Sequence, residues 1–470
     1  MSLRVANGAG FWGDNLDVPR RLVETAEVDY LTLEYLAELT LSIMARQREK
    51  DPTAGYATDF LQVLSSLCPA LAAQPQLKIV TNAGGMNVAS CAQAAARILS
   101  EAGMHAVKIG LVTGDDLLPK LDEFKRAGCK FENLETGQPL DEFLASRPAA
   151  PGEPPSTVVS ANAYLGARGI AEALAGGARI VITGRVADAS LTVGPAVERF
   201  GWSWDDWQRL AGASVAGHLI ECGAQVTGGL DWRWQELRLA DVGYPIAEIE
   251  SDSSCTITKP AKSGGIVDRH TVAEQLVYEI ADPRHYLTPD VDVDFTTITL
   301  DDVGTDRVKV TGATGRPAPD TLKVSLAYRD GFMASGQLLV YGPHSIAKAR
   351  SCAEIILERM KLTGYDLMRT QVELLGARDI VLAPDEQRDD PREVVLRIAV
   401  HDERREAVER FTRELAPLVT SGPPGLAGYT TAHTPVRPVY AYWPTLVPKE
   451  LVATQVMVRS AKDWMTSRDR

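Results

Sequence analysis

Short apolar runs alternate with helix-like stretches through the first half of the chain, and this alternation is the feature that most restricts the fold. Helical periodicity is present between the runs, for example over 90–102 and 167–175. Alternating strands and helices predict a mostly parallel sheet with helices on both faces. The sequence therefore predicts an α/β domain with a doubly wound sheet over residues 1–240. The expected strands are "LRVAN" (3–7), "LKIVTN" (77–82), "VKIGLVTG" (107–114), "STVVSAN" (156–162) and "ARIVITG" (178–184).

The second half has a different pattern, in which apolar and polar residues alternate with period 2. This pattern predicts antiparallel strands, and the helices expected among them indicate an α+β domain over residues 241–470. A chain of 470 residues is long enough for two hydrophobic cores. The expected elements are strands at 294–300, 306–315, 321–331 and 392–400, and helices at 344–362 and 402–416.

Charge and cysteine usage exclude several classes of function. A net charge of −13 disfavours binding to nucleic acid or to an acidic membrane surface, since both need a basic face. The six cysteines contain no CxxC pair, which is typical of a reducing compartment. No run of about 18 apolar residues is present, so we expect no membrane span. We predict a cytoplasmic protein, with homo-oligomerisation as the general expectation.

Small, polar, glycine-containing loops follow all five apolar runs of the first half. Ligands of open parallel sheets bind outside the carboxyl ends of the strands, where these loops would meet. Glycines allow the backbone to approach a ligand, and N–H groups at helix starts favour anionic oxygens. The alternative is that strand–helix turns are rich in Gly, Asn and Asp for local reasons. We predict a crevice whose substrate-binding residues are Asn7, Gly10, Asp14, Asn82, Gly84, Gly85, Asp115, Asn162 and Arg185.

Arg185 and Asp188 lie on the last of these loops, "TGRVADAS". Arg185 could bind a substrate carboxylate or phosphate in bidentate fashion, and Asp188 is a candidate catalytic carboxylate. The alternative is that the two side chains pair locally. The run "GAGFWG" (8–13) has the spacing GxGxxG, but no acidic residue follows the second predicted strand, 77–82, as a dinucleotide site requires, and GxxxxGK[ST] is absent. No dinucleotide or other cofactor is therefore predicted, apart from the CoA moiety of a substrate.

The stretch "GHLIECGAQVTGG" (217–229) places His218, Glu221 and Cys222 on one face of a predicted helix. We expect that helix to run from 204 to 222, capped by Ser203, with its apolar face becoming polar in the last turn. His218 and Glu221 suit proton abstraction next to a carbonyl, with Cys222 as a further catalytic candidate. The alternative is an ordinary buried helix end. Three residues within one turn lack the separated ligand pairs of a zinc site, so no metal site is predicted.

The loop "TKPAKSGG" (258–265) carries Lys259 and Lys262 beside a glycine pair. In an acidic protein this local positive loop could hold a substrate carboxylate or phosphate. A solvated turn is the alternative.

Taken together, several phrases of the sequence resemble one family, the acyclic terpene utilisation proteins, AtuA. The resemblance extends from about residue 3 to 360, and in many relatives the part that corresponds to 361–470 is a small ferredoxin-like domain. It implies a role in the catabolism of branched, terpene-type acids as CoA thioesters, beside acyl-CoA carboxylases and hydratases. It supplies no catalytic residues. The phrases are "NGAGFWGDN", "DYLTLEYLAELTLSIMAR", "TNAGGMN", "VITGRVADASLTVGPA", "GHLIECGAQVTGG", "GYPIAEI", "TKPAKSGG", "EQLVYEIADPRHYLTPDV" and "DRVKVTGATGRPAPDTLKVS".

Three functions are compatible with these residues. The first is an enzyme of lyase or hydratase type that acts on a branched or terpene-derived carboxylate or acyl-CoA by acid–base chemistry. The second is a non-catalytic binding or assembly subunit of an acyl-CoA carboxylase. The third is a metal-dependent hydrolase that uses Asp14, Asp188 and His218.

Overall fold

A computed structural model describes residues 2–147, 157–377, 379, 391–428 and 434–466. The chain forms two compact units. The first contains Met1–Gly137, Val159–Leu326 and Pro444–Arg470, and the second contains Gln138–Val158 and Ala327–Trp443. None of the described helices combines the length and the apolar character that a membrane crossing requires.

Helices and strands alternate along the chain. The helices are α1 (Val18–Thr25), α2 (Glu38–Lys50), α3 (Asp59–Ala73), α4 (Val88–Glu101), α5 (Leu121–Arg126), α6 (Leu140–Ala145), α7 (Arg168–Ala175), α8 (Ser190–Phe200), α9 (Trp207–Glu221), α10 (Arg269–Leu276), α11 (Ser345–Leu362), α12 (Arg405–Thr412), α13 (Leu418–Ser421) and α14 (Ala461–Thr466). The strands are β1 (Leu3–Asn7), β2 (Tyr30–Leu33), β3 (Lys78–Thr81), β4 (Lys108–Thr113), β5 (Val158–Ala163), β6 (Ile180–Thr183), β7 (Ile246–Ile249), β8 (Cys255–Thr258), β9 (Tyr286–Leu287), β10 (Asp292–Asp294), β11 (Thr299–Gly304), β12 (Arg307–Thr311), β13 (Thr314–Arg316), β14 (Thr321–Tyr341), β15 (Arg369–Leu375), β16 (Glu393–Asp402), β17 (Leu426–Gly428), β18 (Arg437–Pro448) and β19 (Gln455–Ser460).

The first unit is built on a ten-stranded mixed sheet in the order β11-β12-β8-β7-β1-β2-β3-β6-β4-β19. Its centre, from β1 to β4, is parallel, and the strands on either side are antiparallel. The predicted α/β class is therefore confirmed. Because the central strands are parallel, the loops after β1, β2 and β6 meet at one edge of the sheet.

Helices cover both faces of this sheet. Leu31, Ile79 and Ile180 belong to a core cluster that they share with α1 to α4 and α14. Val112 and Val181 point to the other face of the sheet, because side chains alternate along a strand. This is the face that α7 covers, and Gly169 of α7 packs directly on Val112. Strands that are buried on both faces explain the continuous apolar runs in the sequence.

One expected strand of the parallel sheet is wrong. The run predicted at 156–162, whose first residue lies outside the described residues, forms β5 and pairs with β14. The position in the parallel sheet belongs to β2, which the sequence did not reveal. Its four residues, "YLTL", lead within a few residues into α2, so the strand pattern is too short to stand out from the helical one.

Strands from the second half of the chain continue the first sheet. β7 pairs antiparallel with β1, and β8, β12 and β11 extend the sheet beyond it. A separate three-stranded antiparallel sheet has the order β13-β10-β9. The compact units thus divide the chain differently from the boundary at residue 240 that the sequence indicates.

The second unit contains an antiparallel sheet in the order β15-β16-β14-β17, as the period-2 pattern predicts. α11 and α12 pack on β16. Its own core includes Ile356, Leu396 and Phe411, all fully buried.

α9 begins later than expected, at Trp207, because Asp206 and not Ser203 caps it by accepting a hydrogen bond from Arg209 N. Every residue of the helix from Leu210 to Ile220 is buried. Gly217 lies against Ala189, so close that a Cβ there would be 2.8 Å from Ala189 Cα. This close packing fixes where the last turn of α9 points.

Candidate active site

A cavity of about 440 Å³ lies at the carboxyl ends of the parallel strands, beside the end of α9. Acidic side chains dominate its wall, and Arg185 is the one cationic side chain among the described residues that line it. Phe11 and Leu230 are largely exposed, so apolar groups form part of its opening. The lining residues are Gly10, Phe11, Asp14, Glu34, Leu36, Ala37, Glu38, Tyr164, Arg185, Asp188, Glu221, Cys222, Ala224, Gln225, Gly229, Leu230, Tyr244, Tyr278 and Glu279.

Arg185 is the largest fully buried side chain among the described residues and is the second residue after the end of β6. Its guanidinium donates to Val186 O, to Leu36 O and to Asp188 Oδ1. It also lies over the ring of Tyr164, 4.5 Å from the centroid. A guanidinium has five N–H donors, of which three meet these acceptors, so its position and orientation are fixed before any ligand binds. The local Arg185–Asp188 pair that we considered as an alternative is present, and both residues also line the cavity.

Asp115 is hydrogen-bonded to the loop that carries Arg185 and does not line the cavity. Its Oδ2 accepts 2.9 Å hydrogen bonds from Arg185 N and from Asn162 Nδ2. Burial raises the pKa of Asp115 to about 6, although both hydrogen bonds act in the opposite direction. Asp115 and Asn162, both predicted to bind substrate, are therefore placed as supports of Arg185.

Glu34 follows β2 and was not among the predicted site residues. It is 5% exposed and lines the cavity. Leu36 N and Asn82 Nδ2 both donate to its Oε1, whereas Oε2 has no hydrogen-bond partner among the described residues. Burial raises the pKa of Glu34; Arg185, Asn82 and Leu36 oppose the shift, and the charge of Glu221 adds to it.

Glu221 and His218 form a pair at the end of α9, and only Glu221 lines the cavity. Glu221 Oε1 is 3.1 Å from His218 Nδ1, and His218 Nε2 is 2.9 Å from the carbonyl oxygen of Gln275. Both partners are acceptors, so the ring favours the doubly protonated form. Burial lowers the pKa of His218, but the hydrogen bond and charge of Glu221 and nearby backbone carbonyls outweigh it, so the net shift is upward. Glu221 Oε2 is buried without a partner among the described residues.

Cys222 lines the cavity, but its environment favours the thiol. Burial raises the pKa of Cys222 to about 12, and the charges of Glu221, Glu279 and Glu34 add to that effect. A thiolate is the reactive form of cysteine, so this position is poorly suited to a nucleophile at neutral pH.

The loop after β1 closes the cavity beside the end of α9. Asp14 accepts from Gly10 N at 2.9 Å and from the Tyr244 hydroxyl at 2.6 Å. A Cβ on Gly10 would lie 2.8 Å from the backbone carbon of Cys222, so only glycine fits here. Residues of the 7–15 loop, of the 183–190 loop and of the end of α9 line this cavity together, whereas no residue of the 81–87 loop is part of its lining.

Four other residues that were predicted to bind substrate instead make contacts within the protein. Asn7 Nδ2 donates to the carbonyls of Ile220 and Glu221, and so caps the carboxyl end of α9. Asn82 connects Glu34 with Tyr35 N. Gly84 lies against Thr183 O, and Gly85 against the Met44 side chain.

The two predicted lysines lie away from the cavity. Lys259 is buried and paired with Asp306 at 3.0 Å. Lys262 lines a smaller cavity of about 140 Å³, which shares Tyr244 with the main one.

The hydrolase hypothesis needs the ligand atoms of Asp14, Asp188 and His218 close to one another, and they do not form a group within 4.8 Å. Among the described residues, the one group with ligand atoms within 4.8 Å of one another is Asp231, His270 and Glu274. Asp231 already accepts two hydrogen bonds from the Arg233 guanidinium, which competes with any metal ion there.

Comparison with known proteins gives one match. The model of the family described as "Acyclic terpene utilisation family protein AtuA" matches residues 3–458. The match includes most of the region after residue 360, where the sequence resemblance was weakest. Searches of curated proteins and of solved structures returned no match.

Proposed function

The chain belongs to the acyclic terpene utilisation family AtuA, and from that premise we propose that it is an enzyme of lyase or hydratase type. Its substrate is a branched, terpene-derived carboxylic acid or the thioester of one. The reaction is proton transfer next to the substrate carbonyl, carried out without a redox cofactor.

One observation carries this proposal. Glu221 lines the cavity with one oxygen held by His218, while its other oxygen is buried without a partner among the described residues. A carboxylate that is fixed through one oxygen and open through the other is suited to accept a proton from a bound molecule. The imidazolium behind it stabilises the negative charge before the reaction and fixes the direction of the open oxygen.

Arg185 supplies the complementary charge. Its guanidinium lines the same cavity as Glu221, is rigidly held, and has N–H groups beyond the three that meet protein acceptors. A carbonyl or carboxylate oxygen bound there gains stabilisation as negative charge develops on it. The apolar side chains at the opening, Phe11 and Leu230, suit a branched hydrocarbon tail.

The acidic wall limits how a CoA thioester can bind. Asp14, Glu38 and Glu279 line the cavity together with the carboxyl groups already described. Nucleotide phosphates would be repelled by this wall, so the CoA carrier of a thioester lies outside the cavity with only the acyl part inside.

A direct assay tests this function. The purified protein is incubated in D2O with 3-methylbut-2-enoate, longer branched 2-enoates and their N-acetylcysteamine thioesters. Deuterium at the α-carbon and loss of the conjugated double bond are then measured. Glu221→Gln should lower the rate by about 10²–10⁴-fold with the melting temperature nearly unchanged. Glu279→Gln, an exposed wall residue, is the matched control and should lower it only slightly. A wild-type protein that neither exchanges nor hydrates any member would overturn the proposal.

The non-catalytic alternative, a subunit that associates with an acyl-CoA carboxylase, has one feature in its favour. Leu230, Trp232 and Trp234 are 76%, 71% and 58% exposed within five residues of chain. Exposed aromatic residues are common at protein interfaces. A purified carboxylase that binds the wild type stoichiometrically, but not a Trp232→Ser, Trp234→Ser variant, would favour this alternative if the enzyme assay is negative.

A further inference from the structure

We propose that Glu34 is a second catalytic residue, a carboxylic acid that delivers a proton from its Oε2 to the substrate carbon next to the carbonyl. This inference rests on the proposed function and adds the proton donor that Glu221, acting as a base, requires. It also changes the role of Asn82, from a substrate ligand to a positioning residue for Glu34.

The hydrogen bonds of Glu34 distinguish its two oxygens. Oε1 accepts from Leu36 N at 2.8 Å and from Asn82 Nδ2. An oxygen that already accepts two N–H groups is the poorer site for a proton. Oε2 is buried, has no partner among the described residues, and belongs to a residue that lines the cavity. The proton of a neutral Glu34 is therefore carried by Oε2, the oxygen without a partner, in a residue of the cavity wall.

Asn82 enforces this arrangement. Its Oδ1 accepts from Tyr35 N at 2.8 Å, which fixes the amide so that the Nδ2 side faces Glu34. If the amide turned over, two oxygens would face each other and Tyr35 N would lose its acceptor. Asn82 is fully buried behind Glu34, so its contribution to the reaction runs through the carboxyl group and not through substrate.

The surroundings keep the two carboxyl groups in different states. Glu221 is hydrogen-bonded to His218, whereas no ion pair within 4 Å engages Glu34 among the described residues. Burial is the largest influence on the pKa of Glu34 and raises it, with a smaller contribution from the charge of Glu221, against the charge of Arg185 and two hydrogen bonds. Two carboxyl groups in one cavity whose environments separate their protonation states are the arrangement that acid–base catalysis requires.

The chemical step balances with these two groups. In the hydration direction, Glu221 takes a proton from water as the water oxygen bonds to the β-carbon. The π electrons of the C=C bond shift towards the carbonyl, and the α-carbon forms its new C–H bond with the proton from Glu34 Oε2. No electrons are gained or lost overall. The proton on Glu221 returns to Glu34 through solvent before the next turnover.

Infrared spectroscopy tests the proton site without a substrate. At pH 6, above the ordinary range of a glutamic acid, the wild type should show the C=O stretch of neutral, buried carboxyl groups, to which Asp115 and Asp290 also contribute because burial raises their pKa. Glu34→Gln should remove the share of one carboxyl group from this band in a difference spectrum against the wild type. Glu38→Gln should leave it, because Glu38, despite its partial burial, has a pKa lowered by hydrogen bonds and by Lys323. A difference spectrum in which Glu34→Gln removes no neutral carboxyl band would overturn the inference.

Kinetics test the catalytic role. Glu34→Gln should lower deuterium incorporation at the α-carbon by at least 100-fold. In the wild type the rate should fall at high pH as Glu34 loses its proton. Asn82→Ala should move this fall to higher pH, because it removes a hydrogen bond that lowers the pKa of Glu34. A purely structural Asn82 would not shift the profile.

The outcomes separate the two proposals. If the wild type turns over and Glu34→Gln turns over equally well, Glu34 is not catalytic and the proposed function stands. If the wild type turns over no substrate, the proposed function fails and the catalytic role fails with it. The infrared band still decides in that case whether Glu34 holds the proton.

Discussion

At the scale of single residues, burial determines which acidic groups can change their charge near neutral pH. Asp115 illustrates this effect, since it is buried inside the first unit. It accepts hydrogen bonds from Asn162 and from the backbone of Arg185, but it forms no ion pair with a described cationic side chain. Burial raises the pKa of Asp115 to about 6, from the ordinary value of 3.8 for an aspartic acid side chain. A carboxyl group whose pKa is raised on folding favours the folded state at low pH and loses that contribution as pH rises.

Asp115→Asn should therefore flatten the pH dependence of stability between about pH 4 and pH 6. In the wild type, the contribution of Asp115 is complete below about pH 4 and is lost as pH rises through about 6, by up to about 3 kcal/mol. Urea unfolding at several pH values measures the difference. Asp116→Asn, a change to the neighbouring carboxylate that pairs with Arg48, is the control. Equal slopes for the wild type and Asp115→Asn would contradict the assignment.

Cys222 provides a second prediction at this scale. A thiol with a pKa of about 12 has roughly 10³ times less thiolate at pH 8 than an ordinary cysteine. Iodoacetamide should accordingly label Cys222 very slowly compared with free cysteine, as followed by mass spectrometry. Cys222→Ser should retain activity within a few-fold. Rapid labelling of Cys222 together with complete inactivation by Cys222→Ser would instead indicate that Cys222 acts as a nucleophile.

At the scale of elements, the end of α9 was largely predictable from the sequence, and β2 was not. The apolar stripe of α9 and the polar triplet in its last turn are both visible in the sequence, so Glu221 was found. Glu34 was missed because it follows a strand of four residues that runs on towards a helix, and short strands carry little periodicity. An asparagine at the end of a strand can face a ligand or the end of a helix. Asn7 faces the end of α9, and this choice depends on tertiary packing that has no local signal in the sequence.

The contact between α8 and α9 gives a prediction for an element pair. Gly217→Ala gains about 1 kcal/mol of helix propensity, but its Cβ would lie 2.8 Å from Ala189 Cα. The overlap should outweigh the gain and give a net loss of about 1–3 kcal/mol. Gly304→Ala, where a Cβ has only ordinary contacts, should change stability little. Chemical denaturation of both variants tests the prediction, and a stabilised Gly217→Ala would refute it.

At the scale of the whole molecule, the last segment of the chain completes the sheet of the first unit. β19 pairs antiparallel with β4, and α14 packs on α4. Trp464 is 2% exposed, and its indole N–H donates to Ile109 O. This topology could not be read from the sequence, since pairing between strands more than 300 residues apart leaves no local signal.

Trp464→Ala should therefore destabilise the protein by about 3–5 kcal/mol, the usual range for truncation of a buried aromatic side chain. Trp234→Ala is the matched control, because Trp234 is largely exposed, and its effect should stay within about 0.5 kcal/mol. Thermal unfolding of the two variants side by side measures the contrast. Similar melting temperatures would mean that the C-terminal segment adds little to the first unit.

The pairing of β19 with β4 also orders events during synthesis. β4 leaves the ribosome early, whereas its partner emerges only after the second unit has been translated, tens of seconds later at ordinary elongation rates. Throughout that interval the nascent sheet has an open strand edge and an uncovered α4 face, both of which favour association with other chains. The growing polypeptide therefore needs protection in the cell for most of its translation, and a ribosome that stalls before β19 would release a product that cannot complete its first unit.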